Sequence, residues 1–314
     1  MAVGGIDLGG TKILGVALDP ARPSEVLAEA RVLTPRGPEA MVESMATVAE
    51  RLAVEVGALD AIGIGAAGLV DRSGVLRHGP NLPGVTDLDV AAVVHERLGL
   101  PVAVDNDATC ATWAEGRIGA AAGAEHAVLV TLGTGIGGGI IADGTLLRGA
   151  YGFAGEPGHM CVDPQGPRCP CGRRGCWERF ASGSGLARLA RDAAFSGRIP
   201  GVVALAGGDP EDVRGEHVTR AAATGDSGAL GVMDDFGWWV ALGVAALVNV
   251  LDPEVVVIGG GLVAAGDLLL EPTRRAYEQL VLAPLHRPPV EIVQAALGEH
   301  AGAVGAALLA AELV

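Results

Sequence analysis

At 314 residues, half of them hydrophobic, the chain can bury a full core and has the length of two domains. A net charge of −15 argues against a sequence-independent grip on nucleic acid, which needs clustered Lys and Arg to neutralise phosphates. It leaves a small anionic ligand open, because backbone N–H groups and a metal ion hold one inside an acidic protein. No apolar run reads as long enough to span a bilayer, and Met1 leads almost directly into a strand pattern, so a cytoplasmic protein with no membrane partner is expected.

Along the chain, Val3 to Leu8 is a short apolar run ending in Gly9-Gly10-Thr11, and Lys12 to Leu18 resumes the strand pattern, which predicts a hairpin with a Gly-rich turn. A third strand fits Val26 to Leu33. Pro38 to Val56 has helical spacing, with Met41, Met45, Val48, Leu52 and Val56 on one face. Ala61 to Ala66 reads as a buried strand, followed by a Gly-, Pro- and Asn-rich loop through Gly84. Leu88 to Leu98 reads as a helix, and the strand Pro101 to Val104 runs into Asp105-Asn106-Asp107.

From His126 the pattern begins again. Ala127 to Leu132 is a strand, Gly133-Thr134-Gly135 a turn, and Gly138 to Ala142 the returning strand. The two hairpins match, which predicts an internal duplication of a β-rich α/β unit without the short fixed period of a solenoid. A cysteine-rich loop follows, then helices over Gly185 to Ala194 and Leu230 to Leu251. A buried strand, Glu254 to Ile258, enters Gly259-Gly260-Gly261, and a last helix covers Ala301 to Leu313. The expected division is a small α/β domain over 1–115, with the C-terminal helix of 299–314 packing back on it, and a large α/β domain over 116–298.

A phosphate is cradled where several backbone N–H groups converge without Cβ atoms in the way. Gly9, Gly10 and Thr11 offer one such nest, and Gly133, Thr134 and Gly135 another. Gly259, Gly260 and Gly261 close a third strand, without the spaced glycines and downstream acid of a dinucleotide-binding turn. Any one such turn can simply close a hairpin; equivalent ones in two halves point to a nucleotide. Lys12 is the sole lysine among 22 basic residues, through codon bias or through need for a compact ammonium.

Asp7, directly before the first turn, can hold Mg²⁺ beside phosphates or bond its own backbone as a turn residue. Asp107 stands where α/β folds project ligand-facing side chains. It suits a base that accepts a hydroxyl proton during phosphoryl transfer, with Asn106 orienting it; its plain role is a helix N-cap.

Four of the five cysteines fall in one short stretch. His159, Cys169, Cys171 and Cys176 form a Cys₃His set, the composition of a structural zinc site, with Gly172 and Gly175 permitting its tight backbone. Cys161 is a spare thiol nearby, and Cys110 suits a core. Glu156, His159 and Glu178 bracket the set. If zinc takes one His159 nitrogen, the other can bond a sugar hydroxyl; in isolation the two glutamates would be solvated surface acids.

These residues together resemble the ROK family of sugar kinases and sugar-responsive repressors, and within it the bacterial glucokinase branch. Asp7-Leu8-Gly9-Gly10-Thr11-Lys12 is similar to the family's first phosphate motif, and Leu132-Gly133-Thr134-Gly135-Ile136-Gly137-Gly138-Gly139 to its second. Gly155-Glu156-Pro157-Gly158-His159-Met160 and Cys169 through Glu178 resemble its sugar-and-zinc motifs. The likeness covers essentially the whole chain. It implies a two-domain actin-like, ribonuclease H-like α/β fold with an interdomain active-site cleft, Mg-ATP and structural zinc as cofactors, and a homodimer or homotetramer.

The resemblance also implies Asp107 as catalytic base and Asn106, Glu156, His159 and Glu178 as ligands of glucose or a similar hexose. Gly68 and Asn81 match further sugar-side positions. Val85 stands where that segment often continues with Trp, and Pro157 and Cys161 are unusual neighbours in the zinc-side motif. Other readings are a kinase for an N-acetylhexosamine or fructose, a polyphosphate donor, or a sugar-sensing repressor. The cysteine cluster favours ATP over polyphosphate, and a repressor would need a DNA-reading domain ahead of the Asp7 strand.

Overall fold

The computed structural model describes residues 1–314. Its elements in order are β1 (Val3–Leu8), β2 (Lys12–Leu18), β3 (Val26–Leu33), α1 (Pro38–Val56), β4 (Ala61–Ala66), β5 (Leu69–Val70), β6 (Val75–His78), β7 (Thr86–Asp89), α2 (Val90–Leu98), β8 (Val102–Asn106) and α3 (Asp107–Ile118). Then come β9 (Ala127–Leu132), β10 (Ile136–Ala142), β11 (Thr145–Leu146), α4 (Glu178–Ala181), α5 (Gly183–Phe195), α6 (Pro200–Leu205), α7 (Gly215–Ala223) and α8 (Ser227–Leu251). The chain closes with β12 (Val255–Gly259), α9 (Asp267–Leu280), β13 (Glu291–Gln294) and α10 (Ala301–Ala311).

Two five-stranded sheets carry the same strand order, β3-β2-β1-β4-β8 and β11-β10-β9-β12-β13. In the first, β1, β2 and β3 pair antiparallel, while β4 and β8 join parallel to β1 in sequence. The parallel strands β4 and β12 are buried along their whole length, as strands covered on both faces must be. The repeated order is the duplication that the two matching hairpins predict.

The chain divides into two compact units: one of 1–129, 139–155 and 296–314, the other of 130–138 and 156–295. The expected division, 1–115 with 299–314 against 116–298, sets residues 116–129 and 139–155 apart from the first unit, whereas they cluster with it, because the chain leaves and re-enters that unit within β9 and β10. The end of α3 sits against the returning strand, since a Cβ on Gly116 would lie 2.2 Å from the Ile141 side chain. In the first unit α10 packs on β1, β4 and α3. Glycines make that approach possible: a Cβ on Gly5 or Gly63 would fall 1.9 or 1.8 Å from carbonyls of α10, and one on Gly305 1.7 Å from the Cys110 carbonyl.

Three expectations need correction. The segment after Ala66 is more than a loop, for β5, β6 and β7 form a separate three-stranded sheet. Strands of two to four residues give no periodicity to read. The helix expected from Leu88 begins at Val90, because Asp89 caps it by accepting from the Ala92 N–H at 3.0 Å. Finally, α8 is 25 residues long with a mean hydropathy of 1.4, enough for a bilayer span by length and composition. It is a core helix of the second unit: Val232, Phe236, Val240, Val244 and Val248 are buried, and α5, α7 and α9 pack around it.

Candidate active site and metal centre

In the first unit, β1 and β8 deliver two aspartates. Asp7 is the penultimate residue of β1, and its carboxylate lies beside α10, where a Cβ on Gly302 would stand 3.0 Å from it. Asp107 opens α3. The cap of that helix, however, is Asn106, whose Oδ1 accepts from the Thr109 N–H at 3.0 Å. The capping role weighed for Asp107 belongs to its neighbour, and Asp107 follows it as the first residue of α3. Asn106 Nδ2 donates to the Gly68 carbonyl and to Asp107 Oδ1, both at 3.0 Å, and the Ala108 N–H donates to the same oxygen at 2.8 Å.

Electrostatics couple the two acids. Burial raises Asp7 from 3.8 to about 7, the Asp107 charge adds to the rise, and Lys12 opposes it. Burial likewise raises Asp107, against the lowering by its backbone N–H partners and Asn106. Two partly enclosed carboxylates with little cationic compensation make a site that favours a proton or a cation.

The first glycine turn is closed by the Gly9 N–H donating to the Lys12 carbonyl at 3.1 Å, and Thr34 Oγ1 ties down the Gly9 carbonyl at 2.6 Å. Gly10 is exposed and lies against Asn81, whose carbonyl would be 2.7 Å from a Cβ. Gly68, at φ +154°, has no room for a side chain because the His78 carbonyl would be 2.2 Å away. Asp7, Gly9, Gly10, Thr11, Lys12, Gly68, Asn81, Asn106 and Asp107 all belong to this unit. Lys12 does not stand free: its ammonium pairs with Glu299, which also holds Arg31.

The second unit gathers the rest. In the turn Gly133-Thr134-Gly135, the Gly133 N–H donates to the Gly135 carbonyl, and the Gly183 N–H at the start of α5 to the Gly133 carbonyl. Glu178 Oε2 accepts from the Ile136 N–H at 3.0 Å, and a Cβ on Gly135 would meet that oxygen at 2.4 Å. Gly260, at φ +80°, presses on Leu132, so Gly259-Gly260-Gly261 and the end of β9 lie side by side. The two glycine clusters of this unit and Glu178 thus form one neighbourhood.

Next to it sits the thiol cluster. The donor atoms of His159, Cys169, Cys171 and Cys176 all lie within 4.8 Å of one another. His159 Nδ1 is 4.0 Å from Cys169 Sγ, whereas Nε2 is 4.0 Å from Glu156 Oε2, so the imidazole offers one nitrogen to the thiols and the other to the glutamate. Cys171 and Cys176 sulfurs are 3.5 Å apart. Gly175 is obligatory, because a Cβ there would fall 1.6 Å from the Asp163 carbonyl. Three thiols and an imidazole at this spacing fit a tetrahedral d¹⁰ cation such as zinc. Cys110, by contrast, is fully buried beside β4, as a core thiol should be.

Three contributors carry no role in the sequence reading. Asp105 is buried and takes Arg148 Nε at 2.7 Å, anchoring the end of β8 from which Asn106 and Asp107 project. Trp177, between Cys176 and Glu178, is fully buried, donates to the Trp239 carbonyl at 2.7 Å and fills the space over Gly243. Glu299 holds Lys12. An acid next to Asn-Asp and a Trp inside the cysteine motif were visible signals; their partners, 43 and 62 residues away, were not. A cavity of about 790 Å³ beside α9 and β13, lined by Arg274, Tyr277 and Arg287, contains none of these residues.

The ROK family profile matches residues 3–313. A glucokinase of Streptomyces coelicolor is 39% identical over 313 residues, covering 98% of this chain and 97% of its own. Among solved structures, a ROK family glucokinase from Streptomyces griseus in complex with glucose and AMPPNP is 36% identical and superposes with a TM-score of 0.86, covering 99% of this chain and 100% of its own. A ROK hexokinase from Thermus thermophilus is 38% identical, with a TM-score of 0.80 over 100% of this chain and 99% of its own.

Proposed function

The chain belongs to the ROK family, and from that premise we propose that it phosphorylates glucose at the 6-hydroxyl with Mg-ATP, giving glucose 6-phosphate and ADP. One observation carries the reading: Asp107 stands at the head of α3, held by Asn106 and electrostatically coupled to Asp7 beside the first glycine turn. Asp107 accepts the 6-hydroxyl proton as that oxygen attacks the γ-phosphorus. The bond from phosphorus to the bridging oxygen breaks, and ADP departs with the electron pair. Transfer is direct, with inversion at phosphorus: Cys169 and His159, which do lie together, belong to the thiol cluster read as metal ligands.

Asp7 would hold the magnesium that accompanies the nucleotide, and that charge would relieve the repulsion between the two aspartates. The turns at Gly9–Thr11, Gly133–Gly135 and Gly259–Gly261 hold phosphates. The sugar ligands are Asn106 in the first unit, with Gly68 and Asn81, and Glu156, His159 and Glu178 in the second. Zinc suits the Cys₃His set, where it supplies structure and no chemistry. His159, turned by Nδ1 toward the thiols, then presents Nε2 beside Glu156.

A coupled assay of ATP turnover across hexoses tests the acceptor. Glucose is expected to give the highest kcat/KM, far above fructose and N-acetylmannosamine. A panel led by an N-acetylated sugar would replace the acceptor and keep the kinase; no turnover with any hexose would remove both.

A further inference from the structure

Cys161 stands outside the Cys₃His set, yet the backbone pairs it with one of the four. The Val162 N–H donates to the Gly175 carbonyl at 2.9 Å, and the Trp177 N–H to the Met160 carbonyl at 2.8 Å. These two bonds bracket Cys161 and Cys176 as opposed residues of an antiparallel bridge. With the hydrogen bonds on the flanking residues, the pair is of the non-hydrogen-bonded kind, whose Cα atoms stand roughly 4.5 Å apart with both side chains on one face. A disulfide spans Cα separations of about 4.4–6.8 Å, so this pair accepts one without backbone movement. Cys161 is exposed and Cys176 buried. Cys161 Sγ now rests 3.7 Å from the Arg174 carbonyl, so closing the bond asks for a side-chain rotation at the surface.

We propose that Cys161 is an oxidation site that withdraws Cys176 from the metal centre as a reversible disulfide, with a peroxide as oxidant. The inference rests on reading the Cys₃His set as a metal site. Cys161 is the thiol of this loop that the metal would leave unclaimed, and it is exposed; Cys171, also exposed, is one of the metal's donors. Its thiolate attacks one peroxide oxygen; the O–O bond breaks, giving a sulfenic acid at Cys161 and, after protonation, water. The Cys176 sulfur then attacks the Cys161 sulfur. The S–O bond breaks, hydroxide leaves and takes a proton to form a second water, and the disulfide remains. The two cysteines lose two electrons and the peroxide gains them.

His159, Cys169 and Cys171 are left, one donor short of the closed tetrahedron. The Trp177 anchor keeps the strand in place, so the effect falls on the metal and on Glu178 and His159, which the centre positions. A thiol reductant reverses the step.

The test treats zinc-loaded protein with hydrogen peroxide. It follows zinc release with a chromogenic chelator and maps disulfides by mass spectrometry without reduction, in the wild type and in Cys161→Ser. The wild type is expected to give a Cys161–Cys176 cross-linked peptide in step with zinc release, both reversed by dithiothreitol. Cys161→Ser is expected to lose that peptide and release zinc several-fold more slowly. Equal release rates, or a Cys171–Cys176 disulfide in both proteins, would overturn the proposal, as would Cys161 remaining a free thiol while zinc leaves. If the purified protein binds no zinc, the metal reading fails, and the presence or absence of the Cys161–Cys176 peptide still decides whether this pair is the oxidation site.

Discussion

Asp7 costs the unliganded protein stability, and the cost has a definite pH window. In the folded chain, burial and the Asp107 charge lift it from 3.8 to about 7. Between those values the folded state holds a proton that the unfolded state has released, so stability falls as pH rises through the window and levels off above it. Asp7→Asn keeps the shape and removes the titration. Its advantage over the wild type should be absent below the unfolded value and grow by about 1.4 kcal/mol per pH unit. It should level off near neutrality at about 2–4 kcal/mol, the upper figure being the full shift and the lower allowing for water that reaches this half-buried group. Urea unfolding of both proteins from about pH 4 to 9, without magnesium or nucleotide, measures the difference and cancels groups that titrate alike in both. Adding Asp107→Asn should shrink the window by removing one source of the rise. A pH-independent difference, or a wild type more stable than Asp7→Asn at alkaline pH, would refute the reasoning.

Three other outcomes are expected. Cys171→Ser should lose bound zinc by elemental analysis, with lower thermal stability and weaker sugar binding; structural zinc in small peptides contributes on the order of 10 kcal/mol at neutral pH. Full activity without metal would contradict the Cys₃His reading. Gly63→Ala drives a methyl into the Ala306 carbonyl 1.8 Å away and should cost about 1–3 kcal/mol or more in urea unfolding, whereas Gly57→Ala, where the space is open, should report only backbone strain. Because burial raises Asp107 and the ionised form is the base, kcat/KM should fall on the acid side with an apparent pKa above 3.8, measurable as a pH–rate profile.

What could be read from the sequence was local chemistry. Glycine turns, an acid at a strand end and a Cys₃His spacing are set by neighbours within a few residues, and the fold places them as those neighbours dictate. Matching hairpins foretold the repeated sheet order, because hydrophobic alternation and turn glycines are written in the chain. What escaped depends on distant partners. Asp105 is explained only by Arg148, and Trp177 only by Trp239 and Gly243. The short strands β5 to β7 are too brief for a period. The cap of α3 went to Asn106 instead of Asp107 by a one-residue difference in where helical geometry begins, which propensity does not resolve. The length and apolarity of α8 gain their meaning as a core helix from α5, α7 and α9 around it.

The central claim is that Asp107 is the base of a phosphoryl transfer to a sugar hydroxyl. The direct measurement is kcat with ATP and glucose for Asp107→Asn, with glucose affinity measured calorimetrically on the same protein. The substitution keeps the side chain's shape and its place beside Asn106, so binding should change little while kcat falls by ~10²–10⁴-fold, the usual worth of a general base. A near-native kcat in Asp107→Asn would contradict the account, leaving Asp107 as no more than the first residue of α3.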